Sequence, residues 1–152
     1  NKKIMGTSAR RFFTKRQKDE IQKAILNAEL DTSGEIRVHI EKVCDGEVMD
    51  RAANVFNKLN INNTEQSNGV LFYLAVKNRK FAIIGDEGIN KTVPDDFWEN
   101  IKLKMLNQFR EGNFTDGLIE GITIIGRYLK KQYPYQTDDV NELPDEVSFG
   151  KE

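Results

Sequence analysis

The segment that decides the fold is GVLFYLAVKNRKFAIIGDEG, which runs from Gly69 to Gly88. Its first eight residues are apolar almost throughout, as is typical of a central strand covered on both faces. The next four, KNRK, indicate a tight polar turn, and FAIIG at 81–85 indicates a second buried strand that pairs antiparallel with the first. The segment therefore predicts a buried hairpin that ends in the acidic turn GDEG.

Upstream of the hairpin, a third strand is predicted within EIRVHIE, residues 35–41. Apolar and polar residues alternate there, which predicts a half-exposed strand near a sheet edge with His39 on its solvated face. A helical pattern at 47–60 separates this strand from the hairpin. Strand, helix and strand in this order predict a right-handed parallel crossover, so the sheet should be mixed.

Three further helices flank these strands. Thr14 and Gln17 have the spacing of a capping box at the start of the first helix, and Pro94 stands near the start of a long helix. The break EGNFTDG at 111–117 precedes the last helix. The predicted fold is a three-layer α/β/α sandwich with a small mixed sheet and helices on both faces.

The chain has 152 residues, which suits a single domain. We predict one domain over 1–133, beginning with a basic arm over 1–13, and an acidic C-terminal tail over 134–152. Seven Lys or Arg and no acidic residue lie within 1–18. The net charge of −1 does not favour nucleic acid as a partner.

One cysteine, Cys44, and one histidine, His39, exclude an internal disulfide and disfavour a zinc site. No run of about 18 apolar residues predicts a membrane span, and no signal peptide is recognisable. These features lead us to expect a cytoplasmic protein. The first residue is Asn rather than Met, so an upstream targeting or anchoring segment stays open.

Carboxylates are predicted to gather at one end of the sheet. Because the hairpin is antiparallel and the crossover parallel, the end of FAIIG should lie beside the starts of the other two strands. Oxygen ligands at such a rim would suit Ca²⁺ or Mg²⁺. The alternative is structural, with Asp95 or Asp96 complementing a helix N-terminus and GDEG forming a plain turn. The candidate metal ligands are Glu35, Asp86, Glu87 and Asp95, and the other rim residues are Ser33, Gly34, Asn68, Gly69, Gly85 and Gly88.

Three blocks of the chain resemble successive motifs of the TPM domain family. They are SGEIRVHI, then NGVLFYLAVKNRKFAIIGDEGINKTVPDDFW, then FREGNFTDGLIEGITIIG. The family includes many bacterial proteins and a plant thylakoid-lumen protein associated with photosystem repair. The resemblance implies an α/β/α sandwich, divalent-metal binding and acid phosphatase activity in some members. It carries these expectations to the rim residues named above, with Asp86, Glu87 and Asp95 as candidates for a catalytic role.

The chain departs from the family pattern at two positions. The family often has an acidic residue before the aromatic of the last block, where this chain has Asn113, and a glutamate where it has Asn90. Two functions of different classes follow from the residues and the resemblance together. The favoured one is a non-catalytic module that binds another protein or assists assembly and quality control near a membrane, with room for a weak cation site at one sheet end. The alternative is a metal-assisted phosphatase in which Glu35 and Asp86 hold the metal and Glu87 or Asp95 acts as base.

Overall fold

A computed structural model describes residues 9–135 and 147–150. A four-stranded sheet has the order β3-β2-β1-β4. Strand β1 is parallel to β2 and to β4, and β2 is antiparallel to β3, so the predicted parallel crossover and hairpin are both confirmed. The strands are β1 at Glu35–Glu41, β2 at Gly69–Ala75, β3 at Lys80–Gly85 and β4 at Val147–Phe149.

Six helices lie within the described residues. They are α1 at Ala9–Phe12, α2 at Lys15–Glu29, α3 at Val48–Lys58, α4 at Glu87–Asn90, α5 at Phe97–Arg110 and α6 at Phe114–Gln132. The capping box of α2 forms as predicted, with hydrogen bonds of 2.9 and 3.1 Å between Thr14 and Gln17. None of these helices is both long enough and apolar enough to cross a membrane.

The helices cover the two faces of the sheet unevenly. Alternate residues such as Val38 of β1 and Phe72 of β2 pack beneath α2, α5 and α6 in the larger core. The intervening residues, such as Leu71, pack with α3 on the other face. Helix α6 approaches the sheet closely at Gly121, where a β-carbon would lie 2.9 Å from the ring of Phe72. The predicted three-layer sandwich is therefore confirmed, with three long helices on one side and one on the other.

The prediction that β1 is half exposed is wrong, although β1 does lie next to an edge strand. All seven of its residues are buried, and His39, predicted to be solvated, is 6% exposed. The reason is β4, which pairs with β1 on the side opposite β2 and makes β1 an interior strand. The polar side chains of β1 must therefore be stabilised by partners inside the protein.

The predicted limits of the domain also change. Residues Val147–Phe149, placed by the sequence in an acidic tail, form a strand of the sheet, so the folded unit extends past residue 133. The remainder of that tail, 136–146 and 151–152, lies outside the described residues, as does 1–8 of the basic arm. Phe13 of that arm is 3% exposed and belongs to the core, where its ring meets that of Phe12 edge to face.

Candidate functional site

Strand pairing brings the predicted rim together at the start of the parallel strands. Glu35 lies opposite Gly69 in the β1–β2 register, and the backbone N–H of Asp86 donates to the carbonyl oxygen of Gly69 over 3.0 Å. Glu35 and Asp86, about fifty positions apart in the sequence, therefore flank the same residue of β2. We call this end of the sheet the strand-start rim. The predicted rim residues at 33–35, 68–69 and 85–88 lie along it, and Asp95 is exposed shortly before α5.

Polar residues of the strand-start rim hold neighbouring loops together. The Ser33 hydroxyl oxygen accepts from the Gln66 side chain at 2.9 Å and from the Asn68 side chain at 3.2 Å. The Gly88 N–H donates to the Ser67 carbonyl at 2.9 Å, and the Gly88 carbonyl accepts from the Tyr133 hydroxyl at 2.6 Å. These bonds connect the loops before β1 and β2 with α4 and the end of α6, which gives the rim a clear structural role.

The acidic groups of the rim have different surroundings. Glu35 is 1% exposed, whereas Asp86 is half buried and caps α4 by accepting from the Glu87 N–H at 2.8 Å. Ile61 lies directly over Gly69, where a β-carbon would come within 2.6 Å of the Ile61 carbonyl oxygen. The connection from α3 to β2 therefore occupies the space over the residue that Glu35 and Asp86 flank. Within residues 9–135 and 147–150, no three His, Cys, Asp or Glu side chains form a group that could hold a metal.

A second polar site, which the sequence did not reveal, lies at the opposite end of β1. We call it the strand-end cluster, and it consists of His39, Glu41, Arg51 and Tyr73. Arg51 donates from Nε and Nη2 to the two carboxylate oxygens of Glu41, each over 2.8 Å. The buried Tyr73 hydroxyl donates to the same carboxylate. Both oxygens of Glu41 are thus occupied.

His39 connects the strand-end cluster to β4. Its Nδ1 lies 2.7 Å from the Ser148 hydroxyl, while its Nε2 is 3.5 Å from Glu41 Oε1 and is buried without a hydrogen-bond partner among the described residues. A β-carbon on Gly150 would lie 3.3 Å from that Nε2 and 2.5 Å from Glu41 Cβ, so Gly150 packs tightly over both residues. Strand β4 therefore closes the cluster on one side.

Burial and pairing set the charges of this cluster. Burial lowers the pKa of His39 below its ordinary 6.5, against the opposing effect of Glu41, so the ring is neutral at pH 7. Burial would raise the pKa of Glu41, but hydrogen bonds from Arg51 and Tyr73 outweigh it and the pKa is lowered from 4.5. Burial and the bond to Glu41 together raise the pKa of Tyr73. At neutral pH the cluster thus holds one anion, Glu41, beside one cation, Arg51.

An open cavity of about 730 Å³ adjoins the cluster, and we call it the strand-end cavity. Val43, Val55 and Leu59 supply apolar wall, and Lys42, Arg51, Lys58, Glu41 and Asp45 supply charges. His39, Phe149 and Gly150 border the cavity along β4, but the ring of Phe149 packs with the larger core beneath Lys18. It lies beyond the carboxyl end of β1, where the chain crosses to β2 on one side while β4 pairs on the other. In open α/β sheets ligands bind outside the carboxyl ends of strands at such a switch in strand order.

Comparison with known proteins bears on the whole chain. The family model of the TPM domain matches residues 7–128, which is most of the sequence. The chain belongs to the TPM domain family. No curated protein matches it.

Solved structures agree with this assignment. The TPM domain described here is similar to the BA42 protein of the psychrophilic bacterium Bizionia argentinensis, at 47% identity over 91% of this chain and 96% of that one, with a TM-score of 0.85. It shares the fold of the N-terminal domain of a P. gingivalis protein, at 20% identity, 82% of each chain and a TM-score of 0.67. It also shares the fold of the N-terminal domain of the cg2496 protein of Corynebacterium glutamicum, at 13% identity, 82% of this chain, 79% of that chain and a TM-score of 0.63.

One sequence signal points to the strand-end cluster of this TPM domain. The polar residues Arg37, His39 and Glu41 alternate along β1, and all three are at most 7% exposed. Once β1 is known to be interior, such residues demand partners from the facing helix, and Arg51 of α3 is one. The sequence alone does not predict β4, so it does not show that these polar residues are buried and need partners.

Proposed function

We propose that this TPM domain is a non-catalytic binding module that accepts a segment of a protein partner in the strand-end cavity. The observation that carries the proposal is the cavity itself, whose 730 Å³ combine an apolar wall with charged groups at the switch point of the sheet. Cavities of this size and mixed lining are typical of ligand sites.

The bonding of the strand-end cluster supports binding rather than catalysis. Both carboxylate oxygens of Glu41 already accept hydrogen bonds, from Arg51 and Tyr73, and these bonds lower its pKa, which makes it a weak base. His39 lines the cavity, but its Nε2 atom is buried beneath Gly150 and closed to solvent. A general base must come within hydrogen-bond distance of the proton that it removes. These residues are better suited to hold Arg51 in place than to move a proton.

The test blocks the mouth of the cavity. Val43 lines the cavity and is 37% exposed, so Val43→Trp adds bulk there at little risk to the core. The matched control is Leu103→Trp on α5, which is 54% exposed and lies away from the cavity. We expect a partner cross-linked to the wild type and to Leu103→Trp in a lysate of the source organism, and lost with Val43→Trp. Equal recovery by all three proteins would reject the cavity as the binding site.

Our second proposal is a weak divalent-cation site at the strand-start rim, and one buried oxygen atom favours it. The side-chain oxygen of Asn68, which is 1% exposed, is buried without a hydrogen-bond partner among the described residues. Glu35 is bonded to the same residue, because its backbone N–H donates to the Asn68 carbonyl oxygen over 3.4 Å. Because no three acidic, His or Cys side chains converge in the described ranges, the donors do not fit a tightly held metal. A cation there would keep much of its water, and we derive no catalytic step through it.

Thermal melting with Ca²⁺ or Mg²⁺ tests this second proposal. At a cation concentration ten times the dissociation constant, linkage predicts about 1.4 kcal/mol, or roughly 3–6 °C in Tm. Asp86→Asn keeps an acceptor for the cap of α4 but removes the charge, so it should abolish the shift. Identical shifts in the variant and the wild type would exclude Asp86 as a ligand.

The phosphatase alternative, with Glu87 or Asp95 as base, rests on the family resemblance. Hydrolysis of a chromogenic phosphate monoester at equal rates by the wild type and Asp86→Ala would exclude this rim as its active site.

A further inference from the structure

Arg51 presents an oriented guanidinium group to the strand-end cavity. Its Nε and Nη2 atoms are fixed by the carboxylate of Glu41, which Tyr73 holds in turn. Its Nη1 donates to no residue in the described part of the chain, and the side chain is 36% exposed. A guanidinium held in this way loses little further freedom on binding, and its free edge matches a carboxylate.

Helix α3 places a second cation along the same wall. Arg51, Val55 and Lys58 are four and three residues apart, so they lie on one face of the helix, and all three line the cavity. The rise from Arg51 to Lys58 is about 10 Å. Val43, Val55 and Leu59 provide apolar surface at the same cavity.

The charges of the cavity favour an anionic occupant. Lys42, Arg51 and Lys58 face Glu41 and Asp45, and Glu41 is already paired with Arg51. An acidic group entering the cavity would gain from the cations that remain. Among the described lining residues, a basic group would meet only Asp45 as an exposed anion.

We propose that the segment accepted by the cavity is acidic, with an apolar side chain between two carboxylates. This inference rests on the proposed function and specifies its chemistry. One carboxylate pairs with the free edge of Arg51, the apolar side chain packs on Val55 and Leu59, and the second carboxylate lies near Lys58. Glu41 and Tyr73 act as positioning residues, because they touch Arg51 rather than the segment.

The experiment uses the full chain and two blocked tetrapeptides, Ac-Asp-Leu-Phe-Asp-NH₂ and its amide analogue Ac-Asn-Leu-Phe-Asn-NH₂. Binding is followed by NMR through the Nε–H of Arg51 and the methyl groups of Val55 and Leu59. We expect saturable shifts at these groups with the acidic peptide, and at least tenfold weaker binding of the amide analogue. Raising the salt concentration from 50 to 500 mM should weaken the acidic peptide severalfold.

Three variants assign the effect. Arg51→Gln should weaken the acidic peptide at least tenfold, and Lys58→Gln, at an exposed position that does not endanger the fold, about threefold. Arg110→Gln, which removes the same charge from an exposed position on α5, should leave binding unchanged. Equal binding of the two peptides, shifts outside the cavity, or equal weakening by Arg110→Gln would overturn the inference. Glutarate binding as tightly as the peptide would also overturn it, since a small acid would then be the occupant.

The two proposals fail separately. If Val43→Trp abolishes partner capture while both peptides bind alike, the cavity is a binding site and its preference for acidic segments is wrong. If the acidic peptide binds but capture is unchanged by Val43→Trp, the chemistry of the cavity stands and its role in partner binding is wrong.

Discussion

Removal of Arg51 should destabilise the protein more than removal of its partner Glu41. The Glu41 side chain is 5% exposed and that of Arg51 is 36% exposed, so only Arg51 has ready access to water. Breaking a buried pair by deleting one partner costs about 3–5 kcal/mol, and the exposure of Arg51 places Arg51→Gln near the lower end, at about 3 kcal/mol. Glu41→Gln leaves an amide that still accepts from Tyr73, so we expect a loss of about 1.5–2 kcal/mol.

The pH dependence of the two proteins should differ in sign. In the wild type the pKa of Glu41 lies below 4.5, so its stabilising contribution is complete above pH 4.5 and is lost as the pH falls through the folded-state value. In Arg51→Gln the burial remains and the bonds from Arg51 are gone, so the pKa of Glu41 should rise above 4.5. The variant then binds a proton in the folded state as the pH falls from 7 to 5. The difference in free energy of unfolding between the wild type and Arg51→Gln should therefore become smaller between pH 7 and pH 5.

Urea unfolding at pH 7 and pH 5, followed by Trp98 fluorescence and far-UV circular dichroism, measures both effects. Arg110→Gln is the matched control and should change the free energy of unfolding by less than about 0.5 kcal/mol. The reasoning is refuted if Arg51→Gln costs less than Glu41→Gln, or if its deficit is the same at both pH values.

Four further changes have defined outcomes. Because burial lowers the pKa of His39, the unfolded chain binds a proton at higher pH than the folded chain, so stability should fall as the pH drops below 6.5. NMR titration of this single histidine should give a pKa below 6.5, and His39→Gln should flatten the dependence of stability on pH. Thr14→Ala removes the cap of α2 and should cost about 1 kcal/mol in urea unfolding, whereas Thr14→Ser should be nearly neutral. Thr115→Val replaces a buried hydroxyl that has no partner in the described residues, so stability should stay level or rise by about 1 kcal/mol, and a clear loss would contradict this. Gly69→Ala forces a β-carbon against the Ile61 carbonyl and should lower stability by about 1–3 kcal/mol, with an unchanged Tm counting against the packing described.

The parts of the fold set by local pattern were predictable. The apolar run from Gly69 and the turn at 77–80 specify the β2–β3 hairpin, and the order strand, helix, strand predicts β1 parallel to β2. That Glu35 and Asp86 share one end of the sheet follows from this pairing alone.

The strand-end cluster could not be predicted, because it depends on a distant pairing. Strand β4 has three residues, and the bond between His39 and Ser148 spans 109 positions of the sequence. Without β4 the alternation in β1 predicts a solvated face that carries His39. The contact of Arg51 with Glu41 likewise depends on the angle at which α3 crosses the sheet, and spacing along the chain does not encode that angle.

The late position of β4 in the chain also affects synthesis on the ribosome. Strand β1 has left the exit tunnel long before Val147, its partner opposite Val38, has been translated. At about 5–20 residues per second, the wait is roughly 5–20 s. During that time one side of β1 offers unpaired backbone groups to other nascent chains. A ribosome-associated chaperone that covers strand edges should therefore raise the yield of folded protein.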